Sequence, residues 1–266
     1  MMMKALHRER LDQRGFTLVE LMIAILIGLF LVGGLLALVG AMKRTGGIQG
    51  NLEQLHDSER LSTTIMTDVI QEAGYFPLTA ANIGNATSTA ASQLPATGVW
   101  TAGQTIYGTH TGTGVTSTDT VSVRYLTAGA DGVLNCMGAT SATAASWINT
   151  FQVDGNGNLQ CVLTTNGTAA AAVTLVNGVN TSGLNVGGVK YMQILYGVQT
   201  NTASGTTSID TYLNAAQVTA GPYWSNVISV QITLYFSNPL YGQPGQTLVT
   251  IPVTRVIDLM NKAGAT

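Results

Sequence analysis

Arg14-Gly15-Phe16-Thr17-Leu18-Val19-Glu20-Leu21 opens an apolar run that continues to Met42, and Glu20 is the one residue between Phe16 and Met42 that can carry a charge. These 27 residues, at about 1.5 Å rise per residue in a helix, exceed the roughly 30 Å hydrocarbon core of a bilayer. A membrane-spanning helix over 16–42 is predicted, preceded by a leader at 1–15. A carboxylate near the start of a lipid-buried segment costs on the order of 2.5–3.5 kcal/mol on insertion scales unless something neutralises it. No Lys, Arg or His lies inside the run, so the partner must be an amine made by processing, a cation on another chain, or interfacial water. Cleavage between Gly15 and Phe16 would set a new α-amino group one helical turn from Glu20, on its own subunit or on a neighbour displaced along an assembly axis.

Two plainer readings stand beside this one. An ordinary secretory signal has an apolar core of about 7–15 residues before a small-residue cleavage site, and Val39-Gly40-Ala41 could serve as such a site, but the run is too long. An uncleaved single-pass anchor fits the length and leaves Glu20 without a reason.

A short basic leader ending in Gly15, then Phe16-Thr17-Leu18-Val19-Glu20 and an unbroken apolar helix, resembles the class III signal of type IV prepilins and related pseudopilins. The resemblance implies Gly15 as the recognition residue of a prepilin peptidase and Phe16 as the N-methylated mature terminus. It also implies that Glu20 pairs with a neighbouring subunit's terminus, so that Phe16 and Glu20 are the assembly residues.

The formal charge is −2, and residues 1–15 hold Lys4, Arg8, Arg10 and Arg14 against Glu9 and Asp12, so a chain beginning at Phe16 would carry −4. Only 9% of residues are charged and the basic ones are scattered, which gives no field for direct nucleic-acid binding. Four basic residues ahead of the run against Lys43 and Arg44 behind it favour a cytoplasmic N-terminus and an ectodomain outside the inner membrane. The two cysteines, Cys136 and Cys161, both fall in that exported part. An even count in an oxidising compartment suggests one disulfide, worth roughly 3–4 kcal/mol, with two buried thiols as the alternative. Neither cysteine belongs to a CxxC pair or has a histidine near it in sequence, so no metal site is expected.

Beyond the run, Ile48, Leu52, Leu55, Ser62, Met66, Val69 and Ala73 recur at helical spacing, predicting an amphipathic continuation over 43–76 that ends at Gly74 before Tyr75-Phe76-Pro77. The remaining 77–266 reads as a β-rich globular ectodomain. Leu78 to Thr118 is Thr/Ala/Gly/Ser-rich and reads as a long surface connection, with at most short structure around Val99-Trp100 and Ile106-Tyr107. Strands are predicted at 120–126, 147–153, 159–164, 172–176, 189–198, 227–236 and 248–257. Asp154-Gly155-Asn156-Gly157-Asn158 connects a hairpin. It also mimics the start of a calcium loop, but Leu159 and Thr165 stand where that loop needs glycine and a bidentate acid. One long helix followed by strands without βαβ alternation argues for an α+β fold, an antiparallel sheet packed on the helix.

Asp68-Val69-Ile70-Gln71-Glu72-Ala73-Gly74-Tyr75, Val121 to Tyr125, Asn135-Cys136-Met137-Gly138, Val189 to Gly197 and Trp224 to Leu234 are similar, in the same order, to PilW-type minor pilins. The resemblance implies a type IV pilin-like fold and a minor pilin acting in priming and assembly of a pilus. Its implied partners are other minor pilins, the major pilin, the prepilin peptidase, the assembly machinery and the inner membrane, and no cofactor is implied. Its location would be the inner membrane, with a periplasmic ectodomain, and later the pilus at the cell surface. A principal filament subunit or a type II secretion pseudopilin would share the N-terminal features. A membrane-anchored enzyme is the distant alternative: outside the leader only His56 and His110 remain, and no GxSxG, HExxH or phosphate loop is present, so no catalytic residue is assigned.

Overall fold

Thr17 starts the helix. Its hydroxyl accepts the Glu20 N–H (3.3 Å), satisfying one of the donors a helix leaves free at its N-terminus, and its carbonyl accepts the first intrahelical bond, from the Leu21 N–H (3.2 Å). The helix, α1, then runs Leu18–Gln71. The computed structural model describes residues 15, 17–77, 94, 96–112, 118–178, 187–201, 208–243 and 245–260. The chain divides into two compact units, residues 1–49 and 50–266.

In the first unit the helical side chains are almost all exposed, Phe30 at 83% and Leu26 at 65%. Among the described residues α1 is the one helix long and apolar enough to cross a membrane.

In the second unit the spacing of α1 residues selects two stripes. Leu55, Ser62, Met66, Val69 and Ile70 are buried, whereas Leu52 is only half-buried. Ser62 sits in this apolar stripe because its hydroxyl folds back onto the carbonyls of Ser58 (2.8 Å) and Glu59 (3.1 Å), leaving no polar atom unpaired. Gly74 takes φ +81°, which a side chain resists, and its N–H crosses to the Arg124 carbonyl (2.9 Å), so the helix stops where the first sheet begins.

Ten strands follow among the described residues, with every strand pair antiparallel. Six form one sheet in the order β1 (Ile106–Thr109), β2 (Thr120–Thr127), β3 (Ala145–Val153), β4 (Leu159–Thr165) and β5 (Thr168–Ala169), with β6 (Val173–Val176) also pairing β4. The other four are ordered β10 (Thr250–Asp258), β9 (Val227–Ser237), β7 (Val189–Val198) and β8 (Thr211–Leu213). A short helix, α2 (Ala215–Ala220), follows β8, opened by a reciprocal capping box between Asn214 and Gln217. The predicted strands are all present within two residues at either end. The single expected sheet is instead two sheets, and the reason lies in how the backbone leaves the first. A side chain at Gly178 would collide with the Gly157 backbone and one at Gly188 with Gly178, so three segments pass in contact there and the chain is handed on to β7.

The helix and both sheets share one core. Val230, Ile232, Leu234 and Phe236 of β9 are buried with Met192, Ile194 and Tyr196 of β7, while Val121, Val123, Tyr125, Trp147 and Phe151 supply the first sheet's inner face. Trp224 bridges the two sheets, its ring 5.1 Å from Tyr107 and 4.9 Å from Tyr196.

One expectation needs correction. The segment before β1 is not only surface covering, because Leu94, Trp100 and Gln104 are buried. Arg124 draws it inward: its guanidinium donates to the carbonyls of Gln104, Thr101 (2.6 Å) and Leu94 (3.1 Å) and lies 4.9 Å over the Trp100 ring. Burial pushes the Arg124 guanidinium down to about 10, still a cation at neutral pH.

Candidate functional site

Gly15 is exposed at the N-terminal side of α1. Phe16, the leader residues 1–14 and most of the Thr/Gly-rich insertions lie outside the described residues. Glu20 falls in the first turn of α1, where the aligned peptide dipoles present partial positive charge and favour an acid. Thr17-Leu18-Val19-Glu20 has the T-x-x-E spacing of a capping box, and the Thr17 half of that box is formed. Glu20 thus has a local reason to stand at the helix start, which the reading of the run as a membrane segment did not use.

In the ectodomain, Cys136 and Cys161 are joined by a disulfide with their Cα atoms 6.2 Å apart. The bond ties the loop after β2 to β4, where Cys161 faces Phe151. Asn149 supports it from beneath. It is fully buried on the inner face of β3 between Val123 and Leu163, and its Oδ1 accepts the Cys136 N–H (2.9 Å). Trp147, Asn149, Phe151 and Val153 alternate inward, so the one polar residue in that row was a readable signal that was missed.

Tyr125 stands beside Asn149, and its hydroxyl donates to the Leu134 carbonyl (2.6 Å). Burial, and then the charge of Glu72, push this phenol well above its ordinary range. Glu72 is also raised, first by burial and further by repulsion from Asp68 and Asp131, with Tyr125 opposing. A cavity of about 320 Å³ opens here between α1 and the disulfide loop.

The calcium-like loop has a structural use. Asp154 Oδ1 accepts the N–H groups of Asn156 and Asn158 (both 2.9 Å), and Oδ2 accepts the side-chain amides of Asn158 (2.7 Å) and Gln160 (2.9 Å). Four donors from its own hairpin occupy the carboxylate. Among the described residues no group of three or more His, Cys, Asp or Glu side chains is arranged to hold a metal ion.

His110 does meet an acid: its Nδ1 lies 2.8 Å from Asp119 Oδ1. Asp119 is 1% exposed, and its other oxygen accepts the Ile194 N–H (2.8 Å) of β7 while its own N–H reaches the Met192 carbonyl (2.9 Å). The neighbouring hydroxyls are committed as well, Thr109 to Thr120 (2.7 Å) and Thr111 to the Thr118 carbonyl (2.7 Å). The acid clips the sheets together.

Residues 10–36 match the family model of the prokaryotic N-terminal methylation motif, and residues 147–247 match that of the type IV pilus-assembly protein W. These two matches support a type IV pilin-like protein of the PilW type. Comparison with curated proteins and with solved structures gives no match. The two family spans correspond to different physical parts: the first covers Gly15, Glu20 and the start of the apolar helix, and the second covers β3 to β9. The PilW-type part therefore includes Asn149, Cys161 and the junction of the two sheets, whereas Cys136, Arg124 and Asp119 precede it. The apolar helix and the methylation motif together anchor the protein in a membrane and associate it with a pilus.

Proposed function

We propose that this protein is a minor pilin with no chemistry of its own. It enters the inner membrane with a cytoplasmic N-terminus and a periplasmic ectodomain, and is cut after Gly15 by a prepilin peptidase. Phe16 is then the methylated terminus. Glu20 meets the terminal amine of a neighbouring subunit as the helix leaves lipid, which relieves the cost of holding a carboxylate there. With other minor pilins and the major pilin it takes part in priming and assembling the filament, and it ends at the cell surface.

The joining of a methylation-type N-terminus to a PilW-type ectodomain in one chain carries this reading. The test is mass spectrometry of filaments sheared from cells, reading the N-terminus and the abundance of this chain. A trace component beginning at methylated Phe16 is expected. The same terminus in the dominant component would make the chain the principal subunit, and an uncut leader found only in membranes would refute the proposal. Glu20→Ala is expected to insert and be cleaved normally yet to be depleted from filaments; unchanged incorporation would rule out the pairing role.

A further inference from the structure

The cavity beside Glu72 has an acidic wall and apolar walls. Asp68 and Glu72 line it one helical turn apart on α1, and Ile65, Val69, Leu134 and Leu175 supply apolar surface. Like charges at this spacing repel, and Asp131 adds a third negative charge acting on Glu72. Among the described residues no Lys or Arg lines the cavity.

Among the described residues one polar atom of this lining has no hydrogen-bond partner. Glu72 Oε2 is buried and unpaired. The adjacent Tyr125 hydroxyl sends its one proton to the Leu134 carbonyl and only partly offsets the burial of Glu72. Leaving a buried polar atom unpaired costs about 1–3 kcal/mol, and more when it is charged. The volume falls within the range of about 300–1,000 Å³ usual for ligand pockets, and Leu134 on its rim is 48% exposed.

We propose that this cavity receives a lysine or arginine side chain from a neighbouring pilus subunit, the alkyl stem lying on Ile65, Val69 and Leu175 and the cationic head meeting Glu72 and Asp68. An amphipathic side chain of this kind matches both wall types at once, and the charge of the acidic wall selects a cation over an anion. The inference rests on the reading of the chain as a pilus subunit.

The test uses full-length protein in filament-forming cells, with the photo-crosslinker p-benzoylphenylalanine at position 134 and the adduct peptides sequenced by mass spectrometry. The expected adduct is to a Lys- or Arg-bearing peptide of another pilin subunit. It should fall about fivefold or more in Glu72→Gln, the loss of about 1 kcal/mol, and persist in Glu72→Asp. Disulfide formation shows that each variant has folded. An adduct within this same chain, one to a peptide lacking a basic residue, one to a protein that is not a pilin, one unchanged by Glu72→Gln, or none at all would overturn the inference. If the chain is absent from sheared filaments, the minor-pilin reading fails with it; if incorporation is normal, only the inference fails.

Discussion

Asp119→Ala tests how the two sheets are held together. Thr118 forms a parallel bridge with Met192 on β7, and the Asp119 carboxylate adds three contacts, to Ile194 N–H (2.8 Å), His110 Nδ1 (2.8 Å) and Thr111 N–H (3.3 Å). Alanine leaves the Ile194 N–H buried without a partner and removes the acceptor for the other two. At about 1.5–3 kcal/mol for a hydrogen bond to a charged group, with the long Thr111 contact counted near zero, the expected loss is about 3–6 kcal/mol. Asp119→Asn should cost about 1–2 kcal/mol. Its carbonyl oxygen can keep Ile194 while its amide faces the ring nitrogen of His110, which accepts in the other tautomer, so both short bonds persist in weaker, neutral form and only the long Thr111 contact is lost. Urea unfolding of the detergent-solubilised full chain gives the two losses, and hydrogen exchange over 189–198 locates them. Fast exchange at Ile194 in the alanine variant, with asparagine close to wild type, is expected. Equal losses in both, or less than about 1 kcal/mol in alanine, would refute the clip.

Arg124→Lys is expected to destabilise by about 2 kcal/mol, because a lysine cannot reproduce the fork that reaches three carbonyls or the stack over Trp100; proteolysis should then nick the segment 96–105 first. Cys136→Ser removes a cross-link between residues 25 apart and should lower stability by roughly 3–4 kcal/mol, with wild type under reductant showing the same midpoint as the variant. The pH profile has two limbs. At Asp131 a small burial penalty is outweighed by hydrogen bonds from the Thr127 hydroxyl and nearby N–H groups, and at Asp210 the N–H groups of Asn201 and Thr200 dominate, so both carboxylates sit below their ordinary 3.8. Their contribution is present above 3.8 and is lost as pH falls through the lowered folded values. Glu72 works the other way: raised above its ordinary 4.5, chiefly by burial, it lowers stability as pH climbs from there through the folded value. Glu72→Gln should flatten that decline up to pH 7 and leave the acid limb unchanged; an unaltered slope in urea unfolding across that range would refute it.

What could be read from the chain and what could not separate along physical lines. The apolar run with its lone acid, the stop at Gly74 and the strand alternation were legible because each depends on neighbours a few residues away. Val230, Ile232, Leu234 and Phe236 alternate with Gln231, Thr233 and Tyr235, and only the first set is fully buried as a group. The helix stripe was legible for the same reason, except at Ile48 and Leu52, which are only half-buried because burial depends on what stands opposite. α2 was missed although Asn214 and Gln217 carry its capping signal, since six residues give too short a window for a periodicity to emerge. Arg124 and Asn149 were missed as organisers because their partners are distant: Arg124 reaches Leu94 across 30 residues, and Asn149 reaches Cys136 across 13.

The sequence by itself determined a membrane-length helix with an acid in its first turn, an amphipathic continuation and a β-rich ectodomain, because helical and strand periodicity and the free energy of burying charge in lipid are local properties of the chain. Only the tertiary structure decided that the strands divide into two sheets, that Asp119 joins them at Ile194 across 75 residues, and that Asp68 and Glu72 line one cavity with Cys136 of the disulfide. Those pairings are chosen by which buried donors and acceptors find one another once the chain has closed its long loops, and nothing within a few residues of any of them encodes that choice.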